Sequence, residues 1–179
     1  MTGASLRLLG AADGEALARL RRRGYETDPL AFAGLPESDP TCRGEVVARR
    51  LAHQTPETGS VAVGAFGRDG ALVGMVGVRR LEPGKFRHTA HLWGVYVVPE
   101  ARRAGVGRSL LLEAGRTAGR MGGVERLTLS VCVACEPAVA LYRALGFGVF
   151  GREPEAFKVD GAYHDELHMA VSLQALGRP

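Results

Sequence analysis

The run Val95-Tyr96-Val97-Val98-Pro99-Glu100-Ala101-Arg102-Arg103-Ala104-Gly105-Val106-Gly107-Arg108 constrains this chain more than any other segment. Its first half reads as a strand, which Pro99 ends because proline cannot donate to a sheet ladder. Its second half passes through two arginines and two glycines into helical spacing, with Val106, Leu110, Leu111 and Ala114 on one face. A strand that delivers a glycine turn to a helix start leaves unpaired N–H groups and the positive end of the helix dipole at the turn. Such a turn suits a pyrophosphate. Gly105 and Gly107 let phosphate oxygens approach the backbone closely. Arg102, Arg103 and Arg108 add counter-charge, and Ser109 offers a hydroxyl. Two other phosphate loops fail on spacing: no lysine completes a Walker loop, and Leu110 stands where a dinucleotide fingerprint needs its third glycine.

The remaining segments build a mixed α/β chain around this unit. Residues 4–9 read as a first strand. A helix follows from Ala12 to Asp28, capped by Asp13, with Ala16, Leu17, Leu20 and Tyr25 inward and Arg21-Arg22-Arg23 as a solvated face. After a loop from Pro29 to Pro40, residues 43–54 form a second helix. Residues 60–67 and 71–81 form a hairpin across Asp69-Gly70. A long strand, 88–98, leads to Pro99, and the helix runs from Gly105 to Met121. Residues 125–133 are a strand, and 136–145 a helix that Gly146 closes. A last hairpin pairs 147–158 with 162–173. No linker or repeat divides the order, which predicts one domain over 1–179.

Composition narrows the class. Aromatics are 6% of the chain and the arginines are scattered, which points away from nucleic acid. The net charge is +4, and the positive charge is almost all arginine, a bias of base composition or a fit to an anionic ligand. Three cysteines are too few for a disulfide scaffold. Neither a signal peptide nor a membrane-spanning apolar run is visible, so the expected location is cytoplasmic, with no membrane partner. Cys132 and Cys135 form a C-x-x-C pair, but no second pair completes a zinc site, and no metal is expected.

The stretch from Val95 to Leu111 resembles motif A of the GNAT superfamily of N-acetyltransferases, whose pattern is Gln/Arg-x-x-Gly-x-Gly/Ala after a strand ending in Val-x-Pro. Arg102, Gly105 and Gly107 fill its three fixed places. The run from Ala138 to Phe147 is similar to motif B, Ala-x-x-Leu-Tyr-x-x-x-Gly-Phe. Both lie in the family's order, so the resemblance covers nearly the whole chain.

The resemblance implies a single mixed, mostly antiparallel sheet with a splayed central parallel strand pair and about four helices. It implies acetyl-CoA as co-substrate and direct transfer of the acetyl group to a primary amine. Pantetheine would lie along the backbone of Val95, Tyr96 and Val97. The pyrophosphate would meet Arg102, Arg103, Ala104, Gly105, Val106, Gly107, Arg108 and Ser109. Tyr142 matches the family's tyrosine beside the coenzyme sulfur and would protonate the leaving thiolate. Cys135 stands where the family often has an asparagine that bonds pantetheine, and a thiol is a weaker donor.

His91 is the expected base, with Glu136 and Glu82 behind it. Trp93, Tyr25 and Phe32 would form an apolar acceptor wall, with His88, His164 and His168 near its mouth. Asp28, Glu37 and Asp39 would attract a cationic amine. The acceptor, a small molecule or a peptide, stays open. Two other readings also stay open: a non-catalytic acyl-CoA sensor, and an acyltransferase with a longer donor. Family members often pair through their last strands, which makes a homodimer an expectation.

Overall fold

Two helix layers pack on opposite faces of one seven-stranded sheet in the computed structural model, which describes residues 3–32 and 34–178. Met1 and Thr2, the first residues of the segment that shows no signal-peptide pattern, lie outside the described residues. The strands are β1 Ser5–Leu8, β2 Ser60–Phe66, β3 Leu72–Arg80, β4 Thr89–Val97, β5 Arg126–Cys132, β6 Gly148–Val159 and β7 Ala162–Ser172. The longer helices are α1 Gly14–Thr27, α2 Gly44–Ala52, α3 Val106–Gly119 and α4 Glu136–Ala144. The sheet order is β1-β2-β3-β4-β5-β7-β6, and every neighbouring pair is antiparallel except β4 and β5. No helix among the described residues is long and apolar enough to cross a membrane.

The helical periodicities settle which face each helix covers. Leu110, Leu111, Ala114 and Ala118 of α3, with Val139 and Tyr142 of α4, bury one side of the sheet. Leu17, Ala18 and Leu20 of α1, with Val47 and Leu51 of α2, bury the other. Burying these side chains removes apolar surface from water at about 25 cal/mol per Å².

The helix predicted from Ala12 begins instead at Gly14, after a short 3₁₀ turn over Ala11–Asp13. Asp13 is the N-cap residue of α1, but its side chain makes no capping bond to that helix; its carboxylate instead accepts from Gly10 N at the start of the 3₁₀ turn and pairs with Arg7.

The larger departure concerns the arginines. Arg21 is not on a solvated face but only 8% exposed. It falls four residues after Leu17 and four before Tyr25, on the apolar stripe itself. Arg22 donates to the Cys42 carbonyl, and Arg23 pairs with Glu100 at 2.5 Å.

β4 runs as one strand from Thr89 to Val97, as the sequence reads, but it carries a bulge that the sequence does not show. Its register with β3 slips between Met75 and Gly77, and Gly94 takes the left-handed conformation at φ +60. This bulge switches the alternation. Ala90, Leu92, Val95 and Val97 pack toward α3, whereas Trp93 and Tyr96 pack toward α1.

Candidate functional site: the gap between β4 and β5

The two parallel strands separate almost as soon as they meet. They pair only at Thr89–Arg126, Ala90–Leu127 and His91–Thr128. Beyond His91, the edge of β4 facing β5 has no ladder partner among the described residues. An extended amide chain can complete such an edge. Between the diverging strands lies a narrow cavity of about 90 Å³, bordered by Trp93, Gly94, Val95, Cys135 and Tyr142.

The β4–α3 turn has the shape of an anion cradle. Arg103 and Gly105 both take positive φ, 60° and 79°, the alternation that turns successive N–H groups into one concavity. Gly105 is the N-cap of α3 and no side chain caps it, so the first-turn N–H groups remain available to an anion. A β-carbon on Gly107 would lie 3.1 Å from Leu141, so glycine also sets how closely α4 approaches the turn.

Arg102, expected as counter-charge at the turn, is engaged on two sides. Its Nε donates to the Val97 carbonyl at 2.9 Å and its Nη2 to Asp28 at 2.5 Å. The Asp28 bond raises its pKa further. Arg102 is therefore a strap between the turn and the end of α1. The Thr27 hydroxyl, 2.8 Å from the Tyr96 hydroxyl, ties the same helix end to β4. Arg103 and Arg108 place exposed positive charge at the turn.

Tyr142 is 5% exposed and packs edge-on against Phe147. Burial first, then Cys135, pushes its pKa above the ordinary phenol range, so the hydroxyl keeps its proton. Burial and Cys132 push the Cys135 thiol up to about 11, which keeps it a neutral thiol rather than a reactive thiolate. All three cysteines are free thiols.

His91 Nδ1 lies 3.2 Å from the Thr128 hydroxyl, at the last paired position before the strands part. Burial, then Arg79 and His168, lower its pKa, so it is neutral at pH 7. A second polar chain, of which the sequence singled out only His168, borders the gap. The Ser130 hydroxyl is 2.9 Å from His168 Nδ1, and His168 Nε2 is 3.1 Å from Glu153. Ser130 lines the gap itself. The register of β5 with β7 brings Ser130 opposite His168, and no local sequence pattern signals that grouping.

The expected apolar wall is partly assembled. Phe32 and Trp93 line the gap, and Phe32 sits 5.8 Å from the Tyr96 ring. Tyr25 stands behind Phe32 at 4.9 Å, its hydroxyl donated to Asp39. His164 is apart from them on β7, stacked on Phe157, which itself borders the gap.

The sequence matches the profile of the acetyltransferase (GNAT) family over residues 17–147, which spans the gap, the turn and both flanking helices. The chain belongs to the GNAT acetyltransferase family.

Solved structures agree with this GNAT assignment. A phosphinothricin acetyltransferase of the GNAT superfamily from Sinorhizobium meliloti, in complex with acetyl-CoA, is 26% identical with a TM-score of 0.81, over 99% of this chain and 90% of that one. A ribosomal-protein-alanine N-acetyltransferase from Brucella melitensis is 28% identical with a TM-score of 0.79, over 94% and 99%. A GNAT-family acetyltransferase from Streptococcus pneumoniae shares the fold at 24% identity, with a TM-score of 0.79 over 94% and 99%. No protein of curated function matches the sequence.

Proposed function

We propose that this GNAT protein transfers the acetyl group of acetyl-CoA to a primary amine by direct attack. The carrying observation is the parting of β4 from β5, which leaves a strand-like groove on the strand that leads directly into the α3 turn and its anion cradle. That the Sinorhizobium relative is described in complex with acetyl-CoA supports the donor. Those two more similar relatives are named for different acceptors, so they do not select one here.

Acetyl-CoA supplies the thioester that the amine attacks and the thiolate that leaves. Backbone of Val95, Tyr96 and Val97 would hold pantetheine. N–H groups from Arg103 to Arg108 would hold the pyrophosphate, with Ala104, Gly105, Val106 and Gly107 close against it and Ser109 beside it. The backbone N–H near Val97 would face the developing oxyanion. Tyr142 would give its proton to the departing sulfur, a role that suits a phenol kept protonated by burial. His91, neutral at pH 7, would take the proton that an ammonium must lose before attack. The Ser130–His168–Glu153 chain is the competing route for that proton.

We read residues 1–179 as one domain on one sheet, placed in a reducing cytoplasm, which suits free thiols. Pairing of two copies along the edge strand β6 fits the exposure of Val149 and Phe150 there. Titration calorimetry with acetyl-CoA tests the donor site: saturable binding is expected, and no heat from the pure protein would reject it. Binding without thiol release in the presence of any amine would favour the sensor reading.

A further inference from the structure

Beside the gap, between α1, α2 and the sheet, lies a second cavity of about 420 Å³. Its notable walls are Arg21, Asp39, Gln54, Arg79, His91 and Trp93. Trp93 and Gly94 join it to the first: Trp93 lines both spaces, and Arg21 Nη1 lies within 3.0 Å of where a β-carbon on Gly94 would be.

The polar groups here are unevenly satisfied. Asp39 is saturated: it accepts from Arg21 Nη2, the Tyr25 hydroxyl, and the amide and hydroxyl of Thr41. Arg21 is not. Its Nε and Nη1 are buried with no hydrogen-bond partner among the described residues, and its guanidinium lies over Phe32 and Trp93 at 5.3 and 5.8 Å. Gln54 Oε1, on another wall, is also buried and unpaired. Leaving buried donors unpaired is costly, more so when they are charged. Arg50 and Arg79 line the same space, so its three arginines face one carboxylate. His91 adds no positive charge at neutral pH.

A cationic acceptor would therefore enter a space already in excess positive charge, despite the acidic residues of the α1–α2 loop. We infer that this cavity binds a carboxylate, with Arg21 and Arg79 as its recognition residues, and that the acceptor is a small amine carrying a carboxylate. The acid would lie beside Arg21 and the amine would reach past Trp93 into the gap. The placement of the amine rests on the acetyltransferase reading; the anion site does not.

The test uses Trp93, the one tryptophan of the chain, as a probe on the cavity wall. The full-length protein without donor is titrated with the twenty common amino acids and with their methyl esters, following tryptophan fluorescence. At least one amino acid should give a saturable change, with its ester at least about tenfold weaker, as expected for loss of a charge-assisted bond. Arg79→Gln should weaken that acid several-fold and leave its ester unaffected. Arg21→Lys should do the same if it folds; Arg79→Gln decides if it does not. Equal responses to acid and ester, or no saturable response to any acid, would overturn the inference. Thiol release with acetyl-CoA is measured separately. Acid binding without any acetyl transfer would reject the acetyltransferase reading while keeping the anion site.

Discussion

The Trp93 indole fills the space a side chain at Gly77 would need: a β-carbon there would lie 1.9 Å from Trp93 Cε2. The two residues face each other across β3 and β4, one step before the bulge at Gly94. A bare backbone on β3 is thus what lets the tryptophan stand between the donor gap and the larger cavity.

Gly77→Ala must displace that ring. The expected outcome is a shifted tryptophan emission maximum and a KM for the acceptor raised on the order of tenfold, with acetyl-CoA affinity within about twofold. An unchanged emission spectrum and an unchanged KM would show that Trp93 does not shape the acceptor site.

Gly107→Asp places a carboxylate beside the first turn of α3, where the phosphates would lie. Acetyl-CoA binding should fall by at least about two orders of magnitude, through charge repulsion at the helix start and contact with Leu141. Calorimetry on the folded variant checks this, and undiminished affinity would remove the turn from the donor site.

Tyr142→Phe keeps the ring against Phe147 and removes only the hydroxyl. Turnover should drop by about 10²-fold, the lower end for a general acid, with acetyl-CoA affinity retained. Because burial raises this pKa, the wild-type rate should show no alkaline loss within the ordinary tyrosine range near pH 10.

His91 predicts an acidic limb. Its folded pKa lies below the ordinary 6.5, so the unfolded chain binds the extra proton first as pH falls. Both its basic form and its contribution to stability are therefore complete above pH 6.5 and decline beneath it. His91→Asn should flatten the acidic limb of kcat/KM and the fall in stability over the same range. If His168→Asn removes the limb and His91→Asn does not, the proton leaves through Ser130 and His168.

Asp39→Asn leaves Arg21 buried without its counter-ion. Destabilisation of about 3–5 kcal/mol is expected in denaturant unfolding, as for other broken buried pairs. Burial alone would raise the Asp39 pKa, but bonds from Thr41, Arg21 and Tyr25 outweigh it and hold the carboxyl well below its usual range. Its stabilisation should persist at mildly acid pH and disappear only in strong acid.

Much of this architecture was legible in the residues. Periodicity placed the four helices and the hairpins to within a few residues, and the turn from Arg102 to Gly107 announced a helix start suited to an anion. What stayed hidden depends on contacts between distant segments. Arg21 reads as solvated within an arginine triplet, although its spacing from Leu17 and Tyr25 puts it on the buried stripe. Arg102 reads as free charge until Asp28 comes within 2.5 Å of it. The same holds for Asp39, whose attraction for a cation is cancelled by Arg21, 18 residues earlier. The bulge at Gly94 and the pairing of Ser130 with His168 are properties of sheet register, which no local pattern specifies.

The most direct measurement is free-thiol release from acetyl-CoA across a broad amine panel, with mass spectrometry of the amine. An acetyl transferase using this gap should release one thiol per acetylated amine, with amines that carry a carboxylate turned over best. Thiol release no faster with any amine than without one, in a protein that binds acetyl-CoA, would contradict it.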